Sequence, residues 1–255
     1  MPAPITLPAG CSSPAARWPF ARAQSAVRLL ACTFRPNPLD QDDFRRAGIQ
    51  APPGILRAAA KRQSEFLAGR LCAHAALAGH DDPQVGVDDQ GAPQWPAGLC
   101  GSITHSHGLA AAVVADRQHW LGIGLDAELP MSASRALRLA QQILSPAERR
   151  QLAGRTEAEQ AWLVSLTFCS KESLFKALYP LVGQRFYFQD AELLDWADGS
   201  LRLQLLRDLG PQWPAGSLLH GQHGTLDSHL LSLVGIANPP APAETPRRPP
   251  GTESL

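Results

Sequence analysis

Thr156-Glu157-Ala158-Glu159 opens a run through Trp162-Leu163-Val164 and Phe168-Cys169-Ser170-Lys171-Glu172-Ser173-Leu174-Phe175-Lys176 to Leu178, with neither Gly nor Pro before Pro180. Thr156 and Glu159 have the spacing of a capping box, in which each side chain satisfies the other's backbone N–H. The run predicts one long helix to about Leu178, ended by Pro180. Trp162, Leu163, Phe168, Leu174 and Phe175 make it largely buried. Upstream, Trp120 to Glu128 predicts an apolar strand, and Ser145-Pro146-Ala147-Glu148 a second box with Pro at the first helical position. Strands are expected at 185–190, 201–206 and 229–236, with Asp198-Gly199 as a hairpin signal.

The first half follows a similar plan. Residues 26–34 predict a strand. Pro52-Pro53-Gly54 opens a helix of about 25 residues that Gly79 stops. Gly91-Ala92-Pro93-Gln94-Trp95-Pro96 is a loop, and residues 102–105 and 110–115 pair around His107-Gly108. Turns this short do not suit a doubly wound parallel sheet. The expected class is α+β, a pseudo-twofold pair of halves at 21–118 and 119–237, each a long helix on a small, mostly antiparallel sheet. Residues 1–20 and the Pro-rich 238–255 are expected to be disordered.

Composition narrows the function. The chain has 255 residues, with 23 Lys+Arg balanced by 23 Asp+Glu. That neutrality excludes a general nucleic-acid binder, which needs a basic field. No apolar run is long enough to span a membrane. Five widely spaced Cys suggest neither a disulfide framework nor a zinc site, and no secretory signal is read at the N-terminus; a cytoplasmic protein is expected. Lysine is scarce: Lys61, Lys171 and Lys176 are the only three, and two share a six-residue window. An ammonium is a compact, mobile point charge, whereas guanidinium is a rigid fork.

Four groups of residues could carry chemistry. Asp126 and Glu128 stand at i and i+2 on a strand, so both point to one face, about 7 Å apart. Such concentrated negative charge suits a divalent cation or a polar strand end. Glu172 and Lys176 are an i, i+4 pair on a buried helix, where a charged pair needs a reason. Arg62 and Arg70 lie about two helical turns apart and could cradle a polyanion. Ser102, Thr104 and His105 offer hydroxyls and an imidazole on a strand of small residues. Carboxylates able to hold Mg²⁺, with cations nearby, form a constellation suited to a pyrophosphate.

The spacing resembles the Sfp-type 4′-phosphopantetheinyl transferases, particularly the enterobactin synthetase component D branch. Their pattern is Gly-(Ile/Val)-Asp, 40–45 residues, then (Phe/Trp)-(Ser/Cys/Thr)-x-Lys-Glu-(Ala/Ser)-x-x-Lys. Here Gly124-Leu125-Asp126 is followed by 41 residues and then Phe168-Cys169-Ser170-Lys171-Glu172-Ser173-Leu174-Phe175-Lys176. Leu125 is the one mismatch.

The resemblance implies coenzyme A bound between the halves and transfer of its phosphopantetheine arm to a serine of an apo acyl, peptidyl or aryl carrier protein, releasing 3′,5′-ADP. The carrier would serve siderophore, nonribosomal peptide, polyketide or fatty-acid synthesis, and the enzyme would be a monomer without membrane contact. Asp126, Glu128 and Glu172 would hold Mg²⁺. Glu172 would also be the base for the carrier serine, directly or through a water, and Lys176 would stabilise or protonate the departing phosphate. Arg62, Arg70, Ser102, Thr104, His105, Lys171 and Lys176 would bind coenzyme A. Where many relatives have Gly-Lys-Pro, this chain has Gly91-Ala92-Pro93, which shifts that contact onto the arginines. Two other classes stay open: a Mg²⁺-dependent nucleotide pyrophosphatase or phosphodiesterase, and a non-enzymatic coenzyme A-binding module.

Overall fold

Three capping boxes mark α-helix starts in the computed structural model, which describes residues 6–89 and 91–239. They precede α1 (Gln41–Arg46), α5 (Pro146–Arg150) and α6 (Glu157–Val182), begun by Asp40, Ser145 and Thr156. Each such cap stabilises its helix by about 1 kcal/mol. In chain order the first half holds β1 (Ala15–Ala16), β2 (Val27–Thr33), α1, α2 (Pro53–Leu56), α3 (Ala60–Ala76), β3 (Gly86–Val87), β4 (Pro93–Gln94), β5 (Leu99–Ser106) and β6 (Leu109–Asp116). The second holds β7 (Trp120–Glu128), α4 (Ala133–Ile143), α5, α6, β8 (Ala191–Asp195), β9 (Ser200–Leu205), β10 (Leu218–Leu226) and β11 (His229–Ala237).

The class is α+β, and every strand pair among the described residues is antiparallel. One sheet runs β1-β2-β6-β5 and the other β7-β11-β10-β9-β8. In each half the first long strand pairs with the last, the last pairs with the strand before it, and one long helix packs on the sheet. That shared order is the pseudo-twofold. Between the sheets lies a core of Leu29, Ala31, Val113, Ile123, Leu125, Leu231 and Leu233.

Several expectations change. Residues 6–20 are ordered: β1 pairs with β2, and Phe20 bridges to Gly224 and is buried. A Pro/Ala-rich composition hid one anchoring aromatic. Residues 240–255 lie outside the described residues. The expected 25-residue helix is two, because the chain turns extended at Ala59, with ψ of 150°. Pro180 sits inside the last turn of α6, where it removes one hydrogen bond, and Gly183 ends the helix in the left-handed conformation. Residues 185–187 are not strand; a 3₁₀ turn at Phe188–Asp190 leads into β8. Helix α4 and strand β10 were not foreseen.

Candidate active site

Gly122 and Gly124 share one face of β7 with Asp126, since side chains alternate. A Cβ on Gly124 would stand 1.9 Å from the Ser173 carbonyl oxygen, and one on Gly122 2.4 Å from that of Ala177. These glycines therefore let α6 lie directly on the strand. One residue pair further along, the same contact brings the α6 face carrying Lys176 against Asp126.

Lys176 Nζ donates to Asp126 Oδ1 at 2.7 Å and to the Leu125 carbonyl at 3.1 Å. Thr104 Oγ1 donates to the same Oδ1 at 3.1 Å. Asp126 Oδ2 is buried and has no hydrogen-bond partner. Glu128 accepts from Ser106 Oγ at 2.9 Å. Burial pushes the Glu128 carboxyl above its ordinary range, and the Asp126 charge adds to this. Burial also pushes Glu172 up, against the pull of Lys176, and Asp126 and Glu128 push the same way. Burial works to lower Lys176, but the carboxylates of Asp126 and Glu172 outweigh it and hold the ammonium charged.

Two cavities that share lining residues lie near this cluster. A space of about 720 Å³ between the halves is lined by Trp95, Gly101, Arg117, Phe175, Lys176 and Arg185. A second of about 340 Å³ is lined by Arg62, Glu65, Phe66, Arg70 and His105. Gly91 and Ile103 line both. His105 Nε2 lies 3.0 Å from Arg62 Nη1 and its Nδ1 3.7 Å from Glu65. Burial lowers His105, opposed by Glu65 and assisted by Arg62 and Lys176, so the imidazole feels both cations.

One assignment from the sequence is corrected, and three others are seen with partners of their own. Lys171 does not face the cavity between the halves as a coenzyme A ligand. Its side chain is 2% exposed, and all three ammonium protons are committed, to Glu148 at 2.7 Å, Ile143 O at 2.9 Å and Phe188 O at 2.8 Å. It ties α6 to α4, α5 and the turn before β8. Ser102 and Thr104 are likewise committed, to Leu125 O and Asp126 across to β7. Alternation places Ser102, Thr104 and Ser106 on the buried face of β5 and His105 on the other; Ser102 still lines the large cavity, while Thr104 is turned to Asp126. Arg70 lines the cavity, but its Nη1 is spent on Val85 O and Gly86 O. Burial, then the charge of Arg62, pulls it down to about 10.

Arg185 and Ser106 were missed. Arg185 is exposed and lines the large cavity beside Lys176, in a stretch read as strand. Ser106 was legible from the two-residue alternation with Ser102 and Thr104.

No group of three His, Cys, Asp or Glu among the described residues is arranged to hold a metal ion. The donor set nevertheless fits Mg²⁺, which takes one or two carboxylates and completes its shell with phosphate oxygens and water. Asp126 Oδ2 is a buried, unpartnered acceptor of the required kind.

A family model for the 4′-phosphopantetheinyl transferase N-terminal domain matches residues 52–115, and one for the 4′-phosphopantetheinyl transferase superfamily matches 122–234. The 4′-phosphopantetheinyl transferase Svp of Streptomyces mobaraensis is 34% identical over 212 residues, 78% of this chain and 82% of Svp. The chain belongs to the 4′-phosphopantetheinyl transferase superfamily. Npt of Nocardia iowensis, also named a 4′-phosphopantetheinyl transferase, is 37% identical over 153 residues, 57% of this chain. Enterobactin synthase component D of Escherichia coli (strain K12) is 36% identical over 147 residues, 56% of this chain. The match spans a little under two thirds of these superfamily members, 65% of Npt and 66% of component D. A holo-(acyl-carrier-protein) synthase from Bacillus anthracis str. Ames, in complex with CoA (3′,5′-ADP), is a remote likeness. Its TM-score is 0.31 at 18% identity, over 47% of this chain and 97% of that one. No helix among the described residues is long and apolar enough to cross a membrane.

Proposed function

We propose that this chain transfers the 4′-phosphopantetheine group of coenzyme A to a serine hydroxyl of an apo carrier protein, giving holo carrier and 3′,5′-ADP. The observation that carries this is the Lys176–Asp126 pair, near Glu128 and Glu172, at the edge of a cavity that shares Gly91 and Ile103 with the one lined by Arg62 and His105. Family membership supports the same reading.

In this reading the Arg62–His105 end receives the nucleotide phosphates, with Arg70 shaping the wall. Arg185 and Lys176 face the rest of the ligand. Asp126 and Glu128 would hold Mg²⁺, which when bound neutralises pyrophosphate charge, and Glu172 is left as the base. Glu172 takes the proton of the carrier serine, directly or through a water; burial raises its carboxyl above the ordinary range, which favours proton acceptance. The serine oxygen bonds to the phosphorus carrying pantetheine as the bond to the bridging oxygen breaks. Charge then grows on the leaving 3′,5′-ADP, and the Lys176 ammonium stabilises it. An acyl, peptidyl or aryl carrier domain of siderophore, nonribosomal peptide, polyketide or fatty-acid synthesis is the partner, and the enzyme acts as a cytoplasmic monomer.

The test is a panel of apo carriers incubated with coenzyme A and Mg²⁺ and read by intact mass. A phosphopantetheine mass gain on at least one carrier is expected, and loss of Mg²⁺ or of Glu172 should abolish it. No gain across a broad panel would overturn the proposal. Release of 3′,5′-ADP without any carrier would favour a pyrophosphatase instead.

A further inference from the structure

We propose that His107 is a positioning residue that orients Glu128 through the Ser106 hydroxyl. The inference rests on Glu128 serving as a metal ligand. Ser106 Oγ donates to Glu128 Oε2 at 2.9 Å and lies 2.9 Å from His107 Nδ1. A hydroxyl has one proton to give. Ser106 gives it to the carboxylate, so its oxygen accepts from His107. The imidazole therefore carries its hydrogen on Nδ1, and the chain reads Nδ1–H to Oγ–H to Oε2. The Ser106 backbone is pinned as well: its carbonyl accepts from the buried His229 Nε2 at 2.8 Å. Together these commit one oxygen of Glu128 and leave the other for a ligand.

The turn itself does not ask for histidine. His107-Gly108 joins β5 to β6 with φ of 44° and 88°. Two successive left-handed residues favour Asn-Gly or Gly-Gly. Histidine tolerates this conformation better than most residues, so the turn can present the imidazole to Ser106. Partners that hold a ligating side chain from outside typically change metal affinity about 10- to 100-fold when removed.

The test is Mn²⁺ titration of the full chain saturated with coenzyme A, with free Mn²⁺ followed by electron paramagnetic resonance. His107→Ala and Ser106→Ala should each weaken Mn²⁺ binding about tenfold. The double variant should be no worse than Ser106→Ala, because both break one chain of bonds. His107→Gly separates positioning from folding: it relieves the left-handed strain and should raise Tm, yet lose Mn²⁺ affinity as His107→Ala does. Wild-type affinity in His107→Gly, or effects that multiply in the double variant, would overturn the assignment. Failure of wild type to bind Mn²⁺ with coenzyme A present would overturn the metal reading, and this inference with it.

Discussion

Replacing Gly124 with Ala adds one methyl where α6 crosses β7. The new Cβ would stand 1.9 Å from Ser173 O, 2.7 Å from Ala177 N and 2.9 Å from the Ser173 carbonyl carbon. All three are backbone atoms, so no side chain can swing aside. Contact distances between non-bonded heavy atoms require the helix to retreat by more than about 1 Å. Overpacking of this kind costs about 1–3 kcal/mol, and the rigid partner argues for the upper end. At about 2–4 °C per kcal/mol for a chain near this size, Tm should fall by roughly 6–12 °C. The retreat also pulls Lys176 from Asp126, a bond of only 2.7 Å. A misplacement of about 1 Å can cost about 100-fold in turnover. The assay pairs thermal unfolding with initial rates of carrier modification at saturating coenzyme A. Gly122→Ala is the control. It meets Ala177 O at 2.4 Å but lies one pair further from the carboxylates, so it should lose stability with a smaller loss of rate. A Gly124→Ala enzyme with unchanged Tm and near-normal rate would refute the reasoning.

Three further outcomes are expected. Lys171→Met leaves Glu148 buried without its ammonium; breaking a buried pair costs about 3–5 kcal/mol, measured by urea unfolding, while coenzyme A affinity of the folded fraction is unchanged. Weakened affinity with unaltered stability would restore Lys171 as a ligand. Burial holds His105 below its ordinary 6.5, so its contribution to stability is present above pH 6.5 and lost as pH falls through the window beneath it. A phosphate docking there would raise it, so calorimetry just below pH 7 in buffers of different ionisation enthalpy should show proton uptake that His105→Gln removes; buffer-independent heats would contradict this. Phe20→Ala should cost about 3 kcal/mol by urea unfolding if the N-terminal segment is part of the core, and almost nothing if it is not.

Local signals were legible where a rule acts over a few residues. Both Thr156 and Ser145 boxes begin helices where their side chains predict, and β7 spans Trp120–Glu128 as read. Helix α4 is amphipathic, but its buried stripe rests on the small Ala136 and Ala140 with Ile143, and its packing against α6 is a tertiary contact. Strand β10 was passed over because Gly221, Gly224 and two histidines lower its strand character; its pairing with β9 and β11 overrides that.

Residue chemistry and order along the chain were determined by the sequence: paired carboxylates on one strand face, Glu172 and Lys176 on one helix face, and two glycines preceding Asp126. Those patterns are periodic, and periodicity depends only on backbone geometry. Which charges meet was decided by tertiary structure alone. Lys171 and Lys176 look alike five residues apart on one helix, yet one is sealed against Glu148 and the other stands on Asp126 at the cavity. A 3.6-residue repeat turns them to different faces, and what each face meets depends on elements tens of residues away. Similarly, Thr104 and His105 are neighbours in sequence but face opposite sides of β5. The buried seam and the cavity beside Lys176 exist only once the two halves pack together.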